Sequence, residues 1–360
     1  MIIHKNFVGG NIKIVSQDEN TVYVENEMRD TNKGVDWFYW AFCVEGAQGQ
    51  TVTFRFQKNR LGYFGPAVSH DLKTWKWLGS CGENEFTYTF GINETKVYFA
   101  HDMLYHPDRF FAFAAEKGLT LQEFCKSKRG RPVPYFTIGK GKRKVILSAR
   151  HHACEATGNY VLEGVLDEWL KAPIADTEIL CVPFVDLDGV LDGDQGKERA
   201  PFDYNRDYRM EEPSIYPETA KIREYVEKNG CQYGFDFHSP WHIGGSNDHA
   251  FIVHKLFTKT DRLRAFGSLL EEEITPTSFA YQTKDDLPFM EEWNLPSTCF
   301  NTYMISWKGN EVAFSFETSY YGTPENPISQ DNMIELGRCF ARAFKRYVQE
   351  KEGRIPLSQA

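Results

Sequence analysis

The sequence predicts a layered α/β domain preceded by a small all-β sandwich, and two changes of pattern along the chain indicate this. Over the first hundred residues, short β-rich runs alternate with turn signals. Past about residue 104, apolar strand-like runs alternate with helical periods, which is typical of a sheet covered by helices. A length of 360 residues also suits about two domains. We therefore predict one domain over residues 1–103 and a second over residues 104–360, with the boundary near Met103.

The N-terminal part contains several runs that predict strands. They are rich in β-branched and aromatic residues, which favour the pleated, half-buried surface of a sheet. The runs are Trp37 to Val44, Thr51 to Phe56, Phe86 to Phe90 and Lys96 to Ala100. We interpret the four aromatic residues at 37–40 as alternating between the core of this sandwich and its contact with the second domain.

The second part contains apolar runs that are short enough to be buried strands of a central sheet. They are Val145 to Ala149, Ile179 to Val185, Tyr233 to Phe237 and Val312 to Phe316. Apolar residues recur at helical spacing over 161–170 and over 334–347, which predicts two helices that each bury one face. We interpret the segment Phe300 to Ile305 as a further strand, on which Tyr303 either belongs to the core or closes over a substrate.

Composition and charge exclude several classes of protein. Apolar residues make up 41% and charged residues 25% of the chain, the balance of a soluble globular protein. There are 41 basic and 50 acidic residues, a net charge of −9, and no basic stripe, so we expect no nucleic-acid partner. We also expect no signal peptide and no membrane span, because no apolar run is long enough. The eight scattered cysteines form no CxxC pair, which favours a reducing cytoplasm.

Three side chains near predicted strand ends could share a metal ion. His152 and Glu155 are three residues apart, so on one turn they can converge on a cation, and His238 ends the run that begins at Tyr233. Strand ends face the crevice of an α/β sheet, and two imidazoles with one carboxylate suit Zn²⁺ with a position left for water. Asp236 lies on the same strand face as His238 and could orient that ring. The alternative is an ordinary surface ion pair and a capped core histidine.

Two further features could serve catalysis on a bound water. Glu317 follows the strand Val312 to Phe316 in partly apolar surroundings, which would raise its pKa toward that of a general base, although it could also be a surface residue. The segment from Asp186 to Arg209 is a loop too polar to be buried, and such loops often carry function. Within it, Asn205 and Arg206 pair a carboxamide with a guanidinium, which suits a substrate carboxylate.

Taken in order along the chain, these residues resemble the zinc carboxypeptidases of the M14 family, and most closely the cytosolic carboxypeptidase branch. That branch shows a strand ending in Ala-Arg-x-His-Pro-Gly-Glu, then Pro-x-x-Asn-Pro-Asp-Gly-Val, then Asp-x-Asn-Arg. The matching residues here are Ala149, Arg150, His152 and Glu155, then Pro183, Asp188, Gly189 and Val190, then Asp203, Asn205 and Arg206. Upstream, the residues at 37–40, 68–69, 75 and 97–101 look like the β-sandwich of that branch.

The resemblance implies a fold and a set of roles. The fold would be a mixed-sheet zinc-carboxypeptidase-like catalytic domain behind an all-β sandwich. One Zn²⁺ per chain would be held by His152, Glu155 and His238, with Glu317 as the catalytic base. Asn205 and Arg206 would bind the terminal carboxylate of a peptide or a peptide-like amide.

Three departures from the branch affect this assignment. Ala153 and Cys154 replace Pro-Gly between two of the ligands, which alters the turn without removing a ligand. The arginine that stabilises the oxyanion would fall at Gly196 by an ungapped count, so Arg199 or Lys197 must supply the positive charge, and we assign it to Arg199. The segment 300–305 lacks the basic residue of glutamate-preferring members, so a strict glutamate preference is not supported unless a cation comes from elsewhere in the fold.

The sequence leaves three functional hypotheses. The first is a zinc metallopeptidase that removes the C-terminal residue of a peptide with a metal-activated water. The second keeps the zinc and changes the substrate to an N-acyl amino acid or a cell-wall peptide, which makes the protein an amidase or deacylase. The third is a catalytically silent binding protein in which the altered turn has disabled the chemistry. The oligomeric state is left open.

Overall fold

The first hundred residues form two sheets around a shared aromatic core. The structure is a computed structural model, and it describes residues 1–29, 36–256 and 259–353. One sheet has the strand order β1-β4-β9-β6-β7 and the other the order β2-β3-β5-β8. Their strands are β1 (Ile2–His4), β2 (Lys13–Gln17), β3 (Thr21–Glu25), β4 (Ala41–Glu45), β5 (Thr51–Phe56), β6 (Ala67–Ser69), β7 (Lys76–Trp77), β8 (Glu85–Thr89) and β9 (Lys96–Ala100).

Aromatic rings fill the space between these two sheets. The ring of Phe54 lies 5.1 Å from that of Phe42 and 5.1 Å from that of Phe86, and Phe86 lies 5.2 Å from Phe99. Pairs of this kind add about 0.5–1.5 kcal/mol each beyond the area that they bury. The predicted all-β sandwich is therefore confirmed, although its strand β4 begins at Ala41 rather than at Trp37.

The remaining chain builds a mixed seven-stranded sheet with helices packed on it. The strand order is β10-β11-β13-β12-β14-β16-β15, in which β12 pairs in parallel with β13 and β14, and β14 pairs in parallel with β16. The strands are β10 (Gln122–Lys126), β11 (Pro132–Gly139), β12 (Arg143–Ala149), β13 (Thr177–Val182), β14 (Tyr233–His238), β15 (Ala250–Val253) and β16 (Val312–Thr318), followed by the short pair β17 (Gly322–Thr323) and β18 (Asn326–Pro327). The predicted α/β class is confirmed, and the boundary near Met103 stays a prediction.

Helices connect these strands. They are α1 (Pro107–Glu116), α2 (Ala156–Lys171), α3 (Leu187–Asp192), α4 (Pro217–Asn229), α5 (Thr260–Glu273), α6 (Phe300–Ser306) and α7 (Gln330–Lys351), with 3₁₀ turns at Tyr204–Arg206, Gly245–Asp248 and Thr283–Asp285. The two predicted amphipathic helices correspond to α2 and α7. The prediction of a strand over Phe300 to Ile305 is wrong, because this segment is the helix α6, in which Tyr303 is buried. Among the described residues, no helix has the length and apolar character needed to cross a membrane.

Helices α2 and α7 touch backbone to backbone at two glycines. A Cβ at Gly164 would lie 1.9 Å from the carbonyl oxygen of Ile334, and a Cβ at Gly337 would lie 2.0 Å from that of Val161. Neither position can therefore hold a larger residue without separating the helices. This contact matters for the site because α2 begins directly after Glu155.

The prediction that residues 186–209 form an exposed loop is wrong. Asp186 and Gln195 are fully buried, and most other polar residues of the segment are nearly so. The segment also contains α3, where the side chain of Asp186 caps the helix by accepting a hydrogen bond from the N–H of Gly189 at 2.9 Å. Buried polar groups are tolerated where they are paired. Some of these side chains pair within the segment, as Asp186 does with Arg199, and others pair with distant residues, as Gln195 does with Phe38.

Candidate metal centre and active site

Three neighbouring parallel strands bring the candidate residues to one edge of the sheet. Strands β12, β14 and β16 run in parallel, so their carboxyl ends meet there. His152 follows β12, while His238 and Glu317 lie in β14 and β16 and are directly paired in register. The sheet thus fixes the backbone positions of a ligand and of the candidate base.

The chain turns sharply between β12 and α2. Arg150 adopts a left-handed backbone conformation with φ of +62°, which is strained for a residue other than glycine and costs about 1–3 kcal/mol. The turn is held by the N–H of Asp186, which donates to the carbonyl of Arg150 at 2.8 Å. Glu155 is then the N-cap of α2, so the helix start directs its carboxylate toward the histidines.

The three predicted metal ligands converge on one point. Oε1 of Glu155 lies 2.7 Å from Nδ1 of His152, and Oε2 lies 2.7 Å from Nδ1 of His238. The candidate ligand atoms all lie within 4.8 Å of one another, and all three residues are buried. Two imidazole nitrogens and one carboxylate form the donor set of a zinc site that leaves a fourth position open, so these residues fit that ion.

Carboxylates lie behind both candidate ligand histidines, His152 and His238. Nε2 of His238 contacts Asp236, and Nε2 of His152 lies 3.5 Å from Oδ2 of Asp203. Burial alone would raise the pKa of each aspartate, but the neighbouring histidines outweigh it and lower both pKa values. Such partners fix the ring orientation and make Nδ1 of each ring the nitrogen that faces a metal.

His151, next to the first ligand, has a different role. Its Nδ1 lies 2.8 Å from Oδ1 of Asp236 and its Nε2 lies 2.7 Å from the hydroxyl of Tyr208. Both ring nitrogens are therefore engaged behind the ligand set, and His151 braces the carboxylate that orients His238. The sequence pattern indicated His152 as the candidate ligand and assigned no role to His151.

Glu317 lies beside the ligand set, in a cleft of about 400 Å³ that its side chain lines together with His152 and Glu155. Burial raises the pKa of Glu317, because the charged carboxylate loses its hydration. Among the described residues, no hydrogen-bond partner lies within reach of its Oε2. A buried carboxylate with a raised pKa and an open acceptor oxygen can accept a proton from a water molecule.

The structure brings Lys197 to the cleft and leaves Arg199 outside it. Nζ of Lys197 lies 2.5 Å from Oε1 of Glu155, and Lys197 lines the cleft. The guanidinium of Arg199 lies 2.7 Å from Oδ2 of Asp186, and Arg199 lines a separate pocket. The geometry therefore does not support our assignment of the oxyanion cation to Arg199, and it favours the alternative, Lys197.

Gly196 occupies the position at which the related sequences carry the arginine, and it has no side chain to take that role. Its φ is +79°, and a Cβ at this position would lie 2.4 Å from the backbone nitrogen of Ala153. The loop therefore packs directly on the turn that carries the ligands. The following residue, Lys197, does line the cleft.

Asn205 and Arg206 both line the cleft, as predicted from the sequence. The amide nitrogen of Asn205 lies 3.2 Å from Nε2 of His238, and its Oδ1 accepts a hydrogen bond from the N–H of Phe300 at 3.0 Å. These contacts fix the carboxamide beside the ligand set. Arg206 follows in the same 3₁₀ turn.

The cleft contains side chains that the sequence did not single out. Lys255 lies just beyond β15, which pairs antiparallel with β16, and its amine donates to Oδ1 of Asn294 at 2.7 Å. Trp241 and Trp293 also line the cleft, and each is 43% exposed. Each of these residues lies in a loop whose position depends on long-range pairing, so no local pattern marked them.

Comparisons with known proteins show which sequences this chain resembles. Residues 3–101 match the model of the cytosolic carboxypeptidase N-terminal domain. An uncharacterized protein of Zymomonas mobilis is 25% identical over 256 residues, which cover 66% of this chain and 67% of that protein. Cytosolic carboxypeptidase 2 of Danio rerio is 25% identical over 248 residues, which cover 61% of this chain and 33% of that protein. The human protein of the same name is 30% identical over 138 residues, which cover 33% of this chain and 15% of that protein.

Solved structures match nearly the whole chain. A metallo-carboxypeptidase from Burkholderia cenocepacia superposes with a TM-score of 0.80 at 19% identity, covering 97% of this chain and 99% of that one. A metallo-carboxypeptidase from Pseudomonas aeruginosa, solved in complex with (2-guanidinoethylmercapto)succinic acid, superposes with a TM-score of 0.77 at 18% identity, covering 97% of this chain and 100% of that one. The chain spans about a third or less of the length of the two named cytosolic carboxypeptidases.

The fold is therefore that of the metallocarboxypeptidases. Within that class, the match of the N-terminal domain and the named relatives confirm the resemblance to the cytosolic carboxypeptidase branch of the M14 family. The two solved structures and the cytosolic carboxypeptidases described above are all named as carboxypeptidases.

Proposed function

We propose that this protein is a zinc-dependent carboxypeptidase that removes the C-terminal residue of a peptide. The observation that carries the proposal is the convergence of His152, Glu155 and His238 beside Glu317 in one cleft. A decayed site has no physical reason to retain three ligands and a buried base together. The proposal also places the protein in the cytoplasm, which is supported by its eight free cysteines.

The ligand set supplies the first part of the chemistry. A zinc ion on His152, Glu155 and His238 would lower the pKa of a bound water toward neutrality and would polarise a substrate carbonyl. Asp203 and Asp236 hold the two imidazoles in the orientation that such an ion requires.

Side chains of the cleft supply the rest. Oε2 of Glu317 takes a proton from the attacking water and delivers it to the leaving amine. The ammonium of Lys197 compensates the negative charge that develops on the carbonyl oxygen. Arg206 and Asn205 bind the terminal carboxylate, which restricts cleavage to the last peptide bond.

Lys255 supports a preference for an acidic terminal side chain. It lines the same cleft as Lys197 and Arg206, so the cleft offers a third cation besides the two assigned to the carbonyl oxygen and the terminal carboxylate. Burial disfavours the charged ammonium and lowers the pKa of Lys255, and a substrate carboxylate beside it would offset that cost. Lys255 would thus supply the positive charge that glutamate-preferring members carry on the segment corresponding to residues 300–305, where this chain has no basic residue.

The test is amino-acid release by the zinc-replete protein from peptides that differ only in the terminal residue, namely Glu, Asp, Gln, Leu or Lys. We expect release of the last residue, fastest for Glu or Asp, and a loss of about 10²- to 10⁴-fold in Glu317→Gln with zinc retained. N-acyl amino acids and peptides ending in D-amino acids are run in parallel. Cleavage of these alone would support the amidase hypothesis, and equal behaviour of wild type and Glu317→Gln would support the binding-protein hypothesis.

A further inference from the structure

Lys197 belongs to a short segment that lies between the two parts of the molecule. We call residues 193–199 the lysine loop; it follows α3 directly. The side chain of Lys197 ends in an ammonium group that donates to the carbonyls of Ser239 and Pro240 at 2.7 and 2.8 Å and also faces Glu155. The position of this cation therefore depends on how the loop is held.

Gln195 joins the lysine loop to the N-terminal sandwich on one side and, on the other, to residues 150–155 between β12 and α2, which we call the metal turn. Its Oε1 accepts hydrogen bonds from the N–H groups of Phe38 at 2.6 Å and of Tyr39 at 3.2 Å. Its backbone carbonyl accepts a hydrogen bond from the N–H of Cys154, between two metal ligands, at 3.1 Å. The residue is fully buried, and the proposed reaction does not use its side chain.

The first residue of the loop is held by the same sandwich. The amide nitrogen of Asn11 donates to the carbonyl of Gly193 at 2.7 Å. Gly193 has φ of +75°, and a Cβ there would lie 2.6 Å from the carbonyl oxygen of Gly10. Together with the close approach of Gly196 to Ala153, these contacts confine the loop between the sandwich and the metal turn.

We propose that Gln195 is a positioning residue through which the N-terminal sandwich holds Lys197 beside the metal ligands. This inference rests on the proposed function, in which Lys197 is the cation of the reaction. A lysine side chain has many rotamers, so its ammonium acts reliably only if the backbone beneath it is fixed, and a displacement of about 1 Å can cost about 100-fold in rate. The sandwich thereby contributes to catalysis without contacting the substrate.

Matched variants of Gln195 test this role. Gln195→Met has a similar length but no acceptor for the N–H groups of Phe38 and Tyr39, whereas Gln195→Glu keeps an acceptor oxygen. Gln50→Met, at an exposed position of the sandwich, is the control. Zinc content and the thermal midpoint are measured for each protein, so that loss of the metal or of the fold is recognised.

We expect Gln195→Met to lower kcat by about 10- to 100-fold, with KM changed by less than about threefold and zinc retained. Gln195→Glu should recover at least part of that loss, and Gln50→Met should match wild type. In the background of Lys197→Met, the Gln195→Met change should have little further effect, because both remove the same contribution. Losses that multiply in the double variant, or an unchanged kcat in Gln195→Met, would overturn the proposal.

Amide hydrogen exchange tests the positioning role of Gln195 independently of whether the proposed function is correct. Peptides covering residues 193–199 should exchange at least about tenfold faster in Gln195→Met than in wild type, whether or not the protein cleaves peptides. Unchanged exchange in these peptides would overturn the positioning role. If exchange rises but wild type and Lys197→Met are equally inactive on every substrate, the proposed function fails and Gln195 is only a structural contact.

Discussion

The ammonium nitrogen of Lys197 lies 2.5 Å from Oε1 of Glu155, the carboxylate that also contacts His152 and His238, the two candidate ligand histidines. Two residues further along, Arg199 points elsewhere and pairs with Asp186. The two cations of one loop thus have different partners, and removing each should have a different consequence.

We expect Lys197→Met to lower kcat by about 10²- to 10³-fold while the protein stays folded and retains zinc, because a charge that stabilises the transition state is lost. Arg199→Met should instead lower the free energy of unfolding by about 3–5 kcal/mol, because Asp186 is left buried without its cation. Steady-state kinetics and urea unfolding of both variants check this. The opposite pattern would return the oxyanion role to Arg199.

Removal of one ligand should remove the metal. Elemental analysis is expected to find one zinc per chain in wild type and none in His152→Ala, whereas His70→Ala, at an exposed histidine, should keep it. Free zinc at about 100 times its Kd should stabilise wild type by about 2.7 kcal/mol. The same zinc should leave the unfolding of His152→Ala unchanged, and an equal stabilisation of that variant would contradict the assigned site.

Lys255→Met should remove the preference for an acidic terminal residue. A hydrogen bond to a charged group contributes about 1.5–3 kcal/mol, so kcat/KM for peptides ending in Glu should fall by about 10- to 150-fold. Peptides ending in Leu should be cleaved at nearly the wild-type rate. Lys284→Met, at an exposed lysine that does not line the cleft, is the control, and an equal loss on both peptides would remove the specificity role.

Glu218, in the first turn of α4, should make the fold less stable as the pH rises from about 4.5 to about 8. Burial raises its pKa from its ordinary value of 4.5 to about 8. Between these values the folded protein holds a proton that the unfolded chain releases, so stability falls as the pH rises, by up to about 1.4 kcal/mol per pH unit. Urea unfolding from pH 5 to 8 should show this slope in wild type and a flatter one in Glu218→Gln; equal slopes would contradict the assignment.

The contact between α2 and α7 gives a prediction for stability alone. Gly to Ala normally stabilises a helix interior by about 1 kcal/mol, but Gly164→Ala would place a methyl group against the carbonyl of Ile334. We expect a net loss of about 1–3 kcal/mol in thermal or urea unfolding. Ser268→Ala, at an exposed position of α5, should be neutral or slightly stabilising, and a stabilised Gly164→Ala would show that the helices can move apart without cost.

Much of the fold and of the ligand set could be predicted from the sequence because the signals are local. Strands β12, β14 and β16 are apolar runs, and the candidate ligands and base lie at their carboxyl ends or within a few residues of them. The burial of residues 186–209 could not be predicted, because partners such as His152 for Asp203 lie about 50 residues away. The segment Phe300–Ser306 was mistaken for a strand because a helix of this length shows little periodicity.

The positions of Lys197 and Lys255 in the cleft also depend on contacts with residues that are distant in the sequence. No local sequence pattern singles out Lys255, because its position depends on the antiparallel pairing of β15 with β16. The sequence also does not show that Lys197 contacts the carbonyls of Ser239 and Pro240 whereas Arg199 pairs with Asp186.

Because His238 and Glu317 are paired on adjacent parallel strands, the backbone of the sheet sets the distance between the candidate ligand and the candidate base. Neighbouring strands lie about 4.8 Å apart whatever the surrounding loops contain. Loops bearing Trp241, Lys255 and Trp293 can therefore be randomised in a directed-evolution library with this spacing intact. A search for new substrate preferences on this scaffold should therefore keep the residues of the sheet unchanged and vary these three loops.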